Sequence, residues 1–122
     1  MVACVRESND VFVVSPGGCD LSEASLRRVL DYLAEAVPAS PSFAMVCDLR
    51  DPPLNLALYL PEILAFARDL RARCGARQRC SAVVVAPALR PWAEWLFGLL
   101  PPTVPTHFVE NEAEALAVAQ CV

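Results

Sequence analysis

The groups in this 122-residue chain that could do chemistry are six cysteines, a single histidine, an acidic pair after an apolar run and one dense run of arginines. Cys19 is the candidate nucleophile. It follows Ser15-Pro16-Gly17-Gly18 and precedes an expected helix, whose first backbone N–H groups could stabilise a thiolate, while the adjacent Asp20 opposes that effect. Cys4, Cys19, Cys47, Cys74, Cys80 and Cys121 contain no C-x-x-C pair and no Cys/His spacing of the zinc type, so no structural metal is expected. With no apolar signal core ahead of them and ample apolar residues for a core, they read as reduced thiols packing as small hydrophobes. His107 has no Ser, Cys or carboxylate at triad spacing and reads as a surface or edge-strand residue. Asp48 and Asp51 stand where open α/β sheets bind ligands, but a receiver-like cation site needs a further acidic pair after the first strand, where Ser15-Pro16-Gly17 stands. Gly17-Gly18 alone reads as a turn, not as a phosphate or dinucleotide loop. No catalytic residue, metal ligand or cofactor is assigned on these grounds.

Arg68, Arg71, Arg73, Arg77 and Arg79 make residues 68–79 locally +4, because only Asp69 opposes them, and leave −8 on the rest of the chain. They form a candidate anion or acidic-partner patch. The competing reading is that arginines near a helix C-terminus complement its dipole. The chain has no lysine and a net charge of −4, which argues against a broadly basic nucleic-acid surface.

The elements that must position these groups follow from hydrophobic patterning. With 56% hydrophobic and 20% charged residues, the chain suits one domain over residues 1–122 with a real core. The longest uncharged run, Trp95 to Val109, is too short and too proline-rich to cross a membrane as a helix. Arg6, Glu7 and Asp10 interrupt any leader, so a cytoplasmic address is expected. Val11 to Ser15 reads as a strand, with Val2 to Arg6 as its hairpin partner. Asp20 as N-cap with Glu23 three residues on predicts a helix whose buried face is Leu26, Val29, Leu30, Leu33 and Val37, ending before Pro38. Phe43 to Cys47 is continuously apolar, as in a strand covered on both faces. After Asp51-Pro52-Pro53 a helix should start between Ala57 and Pro61, bury Ile63, Leu64, Ala67, Leu70 and Cys74, and close at Gly75. Ser81 to Ala86 is the next strand, Pro91 to Leu100 a third helix and Thr106 to Val109 a last strand. Asn111 with Glu114 predicts a capped helix from Glu112 to about Gln120. This alternation predicts an α/β fold: a single-layer, mainly parallel sheet of four or five strands with about four helices, joined by right-handed crossovers.

Gly18-Cys19-Asp20-Leu21 before the first helix, the strand Ala44 to Leu49 ending in Asp-Leu, the Arg-Ala-Arg-Cys-Gly helix end, Ala82 to Val85 and the closing Val109 to Ala117 resemble the STAS (sulfate transporter and anti-sigma factor antagonist) domain. The small bacterial STAS-like, or sporulation-antagonist-like, proteins are more similar still, over about Val11 to Ala119. The resemblance implies a non-enzymatic module that engages a partner through the loop after the Asp-Leu strand. In the family's signalling members the next helix opens with Asp-Ser-Ser-Gly or Asp-Thr-Ser-Gly and its hydroxyl is phosphorylated. Here Asp51 to Ala57 carries no Ser or Thr, and none occurs between Ser42 and Ser81, so phosphorylation at that site is excluded. One branch of the STAS-like group is suspected of holding nonpolar ligands.

The third helix is apolar nearly all round: Trp92, Trp95, Leu96 and Leu99 share one face while Phe97 and Leu100 turn away. With the Leu-rich stretch Leu54 to Leu60 it predicts surplus apolar surface. The first expectation is therefore an interaction or scaffold module that docks on another protein or on itself through Leu54, Asn55, Leu58, Tyr59, Trp92, Trp95, Leu96 and Phe97. The alternative is a carrier of a small nonpolar molecule held in a cavity lined by residues such as Tyr59, Leu60, Trp92 and Leu96. A thiol-dependent enzyme using Cys19 is the third reading.

Overall fold

The structure, a computed structural model, describes residues 4–8, 10–15, 21–53, 55–101 and 104–121, the side chains of 4–6, 8, 38 and 121 excepted. The β-branched run Val11–Ser15 forms β2 and pairs antiparallel with β1 (Cys4–Ser8), so the hairpin partner lies two residues later than the sequence pattern suggests. Asp10 closes the turn with φ of 60°, a left-handed conformation that Asp tolerates. The chain continues through α1 (Glu23–Ala36), β3 (Phe43–Asp48), α2 (Leu60–Cys74), β4 (Gln78–Val84), α3 (Arg90–Gly98), β5 (Thr106–Val109) and α4 (Glu112–Cys121). The five strands lie in the order β1-β2-β3-β4-β5, with β2 to β5 mutually parallel. This is the α/β architecture expected from the alternation of patterns.

Each parallel crossover joins strands that are neighbours in the sheet. Right-handed connections between consecutive neighbours place their helices on one face. The side-chain alternation agrees. On that face Phe12 and Phe43, edge to face at 6.0 Å, pack with Val29, Leu33 and Val37, and Val83 and Val85 pack with Ala93 of α3. The opposite face presents Val11, Val13, Ala44, Val46, Cys80, Ala82 and Val84, which cluster with Ala115 and Ala119 of α4. Two alanines one turn apart let that helix approach the sheet closely.

Three boundaries move. The first helix is capped by Ser22, not Asp20: the Ser22 hydroxyl accepts from the Ser25 amide and the Ser25 hydroxyl from the Ser22 amide, both at 3.1 Å. Leu21, 7% exposed, is buried just ahead of that cap. Strand β4 starts at Gln78, three residues early, because Gly75 stops α2 with φ of 58° and one 3-10 turn delivers the chain to the sheet edge. In α3 the expected apolar face is split: Ala93 is buried, Trp92, Leu96 and Phe97 pack inward and Phe97 meets Phe108 edge to face at 6.0 Å, while Trp95 and Leu99 point outward. Asn111 caps α4 as its spacing predicts, accepting from the Glu114 amide at 2.8 Å.

Ala115 and Ala119 are fully buried where α4 meets the sheet, with Leu116 packed beside them. Ala115→Leu is expected to lower stability by about 1–3 kcal/mol through overpacking, read as the shift of the urea unfolding midpoint with an unchanged slope.

Candidate functional site

Helix α2 carries a full apolar stripe yet buries only Cys74; Ile63, Leu64, Phe66, Ala67 and Leu70 stay half-buried. Neighbouring strands repeat at about 4.8 Å, whereas packed helices need 8–10 Å between axes. Three helices linking four consecutive strands on one face therefore cannot each lie over its own pair of strands. Helices α1 and α3 take the sheet, and α2 touches the core beside Phe12 and Phe43 through Phe66, Leu70 and Cys74. Below the rest of its stripe lies a cavity of about 340 Å³, within the range of about 300–1,000 Å³ typical of small-molecule sites.

Its walls come from four directions: Leu26, Val29, Leu30 and Leu33 of α1, Ile63, Leu64, Ala67 and Leu70 of α2, Met45, Cys47 and Val83 of the sheet, and Leu96, Phe97 and Leu100 at α3. Leu56 and Leu60 close the side where the chain enters α2. Among the described residues the polar side chains on the lining are Arg71, Gln78 and Ser81, and no carboxylate borders it. Of the residues expected to line a ligand cavity, Leu60 and Leu96 do so, whereas Tyr59 and Trp92 are half-buried outside it.

Asn55 stands next to the lining residue Leu56. Its side-chain oxygen accepts from the Leu21 amide and its NH₂ donates to the Leu21 carbonyl, both at 2.7 Å, joining the approach to α2 to the approach to α1. Asn55 is thus occupied in holding the fold together. Leu58 is 74% exposed, Trp95 59% and Leu99 37%. Leu54 and Cys19, with the stretch 16–20, fall outside the described residues.

The five arginines of 68–79 are divided among different tasks. Arg73 pairs with Asp69 at 3.0 Å. Arg77 donates to the Cys74 carbonyl at 3.1 Å and the Arg73 carbonyl at 2.9 Å, capping α2. Arg79 reaches the Ala119 carbonyl of α4 at 3.2 Å and the Ser42 hydroxyl at 3.4 Å. Arg68 is exposed, and Arg71 turns to the cavity.

Asp48 is held by Arg50 in a two-pronged pair, Nε to Oδ1 at 3.0 Å and Nη2 to Oδ2 at 2.7 Å, with the Arg50 amide at 3.1 Å; this pairing raises the Arg50 pKa. Asp51 is exposed, and among the described residues no three His, Cys, Asp or Glu side chains are grouped to hold a metal. His107 is exposed on β5. Cys47, Cys74 and Cys80 are free thiols. Burial raises all three, and Cys47, where the Asp48 charge adds to burial, is pushed up to about 12. No helix among the described residues is long and apolar enough to cross a membrane.

Met45, Cys47, Ile63, Leu64, Ala67 and Leu70 are the lining residues that sequence reading assigned to strand and helix cores. Nothing in their spacing separates a stripe pressed on a sheet from one held above it. Comparison with family models, curated proteins and solved structures gives no match.

Asn55→Ala leaves the Leu21 amide and carbonyl without partners and is expected to cost about 1–3 kcal/mol, measured by denaturant unfolding. A thiol raised in the folded state contributes stability that is complete below the ordinary value of 9.0 and is lost as pH climbs toward about 12. Stability of the native chain is therefore expected to fall more steeply between pH 9 and 11 than that of Cys47→Ala, compared by unfolding at each pH.

Proposed function

We propose that this is a non-catalytic, STAS-like domain that binds a small nonpolar molecule in the cavity beneath α2. The observation that carries the reading is that cavity: about 340 Å³, walled by apolar side chains from both flanking helices, the sheet and α2 itself. An apolar void of this size costs packing energy when empty. A nonpolar occupant would replace the missing contacts and remove its own surface from water. The Asn55 tie to Leu21 holds the approaches to α1 and α2 together in the free protein, so binding would not have to order them.

A second reading rests on a separate observation, the outward side of α3. Trp95, 59% exposed, and Leu99, 37% exposed, stand one turn apart there, the pattern of an anchor for a protein partner or a second copy of the chain. The two readings concern different sides of the same helix, since Leu96 and Phe97 face the cavity.

The test uses a neutral fluorescent probe, N-phenyl-1-naphthylamine, which brightens in apolar surroundings. The native chain is expected to bind it saturably. Ala67→Phe, which places a ring in the cavity from α2, should weaken binding at least tenfold while leaving the far-UV circular dichroism unchanged. No saturable binding by the native chain, or an unchanged affinity in folded Ala67→Phe, overturns the reading. For the second reading, Trp95→Ser with Leu99→Ser should abolish any association seen by sedimentation without altering probe binding.

A further inference from the structure

The polar lining of the cavity is gathered at one end. Arg71 lies in the last turn of α2, Gln78 opens β4 just after the turn that ends the helix, and Ser81 follows three residues on in the same strand. Gln78 donates to the Ser81 hydroxyl at 2.7 Å, which leaves the Ser81 hydrogen to donate elsewhere. Arg71 is half-buried and makes no hydrogen bond or ion pair among the described residues. Its neighbours Arg73, Arg77 and Arg79 are each engaged as described above. The helix-end carbonyls that would repel an anion here are partly neutralised, because Arg77 occupies those of Arg73 and Cys74.

A guanidinium beside an apolar chamber, with no carboxylate on the lining among the described residues, is a charge without a counter-charge among them. Resting on the reading of this cavity as a ligand site, we infer that the ligand is an amphipathic monocarboxylate whose head group is held by Arg71 and Ser81 and whose apolar chain runs toward Leu56, Leu60 and Leu96. The planar guanidinium matches a carboxylate with two parallel hydrogen bonds. A cationic head would meet Arg71 with like charge. At about 340 Å³, near the lower end of small-molecule sites, the chamber suits a short-chain ligand such as octanoate.

Calorimetric titration of the full chain with octanoate, octanol and octylammonium tests this. Octanoate is expected to bind about tenfold tighter than octanol, as a charge-assisted pair at a half-buried arginine gives, and octylammonium to bind most weakly. From hexanoate to octanoate affinity should rise about fourfold per methylene and level off beyond the length of the chamber. Arg71→Gln should bring octanoate to the level of octanol without changing octanol, and Arg71→Lys should restore part of the difference. Equal binding of octanoate and octanol to the native chain, or an undiminished preference in Arg71→Gln, overturns the head-group inference and leaves the cavity reading intact. Failure of every probe to bind overturns both.

Discussion

The spacing of strands against the spacing of helices is the constraint on which the rest of this structure depends. Four parallel strands in consecutive order offer three crossovers on one face at intervals of about 4.8 Å, while helices cannot approach one another closer than about 8–10 Å. The outer helices therefore claim the sheet. Helix α1 buries Leu26, Val29 and Leu33, and α3 sets Ala93 against Val83 and Val85. The middle helix is held up on Phe66, Leu70 and Cys74, with an apolar chamber beneath the remainder of its stripe. The opposite face has no such conflict, because α4 lies against it with alanines at the contact.

Polar interactions keep that arrangement in place. The paired hydrogen bonds between Asn55 and the Leu21 backbone join the two segments that enter the cavity wall, where the rest of the contact is apolar and unspecific in direction. At the other end, Arg77 closes α2 on its own carbonyls and Arg79 ties β4 to the end of α4 across the sheet. Arginines that look equivalent along the chain thus work on different faces, and Arg71 is the one whose side chain lines the chamber. The same segment supplies fold closure and the polar end of the candidate site.

Much of the architecture was legible without coordinates. Apolar runs, the proline and glycine punctuation and the Asn111–Glu114 spacing located the helices and parallel strands to within a few residues. The misplacements share a cause: they are decided by contacts distant in sequence. The Asp20–Glu23 pattern is a sound cap by local rules, yet helix α1 starts at Ser22, beyond Leu21, whose backbone is held by Asn55, thirty-four residues away. Gln78 and Arg79 fall between the helix end at Gly75 and the strand expected from Ser81, until the register of β4 beside β3 takes them into the sheet. The split of the expected apolar face of α3 goes with Phe108, which meets Phe97 on the inner side while Trp95 stays outside.

By itself the sequence determined the class of fold, because periods of two and of 3.6 residues are local properties of the chain. It also determined the absence of serine and threonine in the segment 43–80, and with it that the loop cannot carry the family's Ser/Thr phosphorylation. Tertiary structure alone decided that the stripe of α2 faces a chamber and that Arg71, among five similar arginines, borders it. A helical stripe records which residues avoid water. How far the helix stands from the sheet is set by the helices on either side, and that distance has no signature in the spacing of residues along the chain.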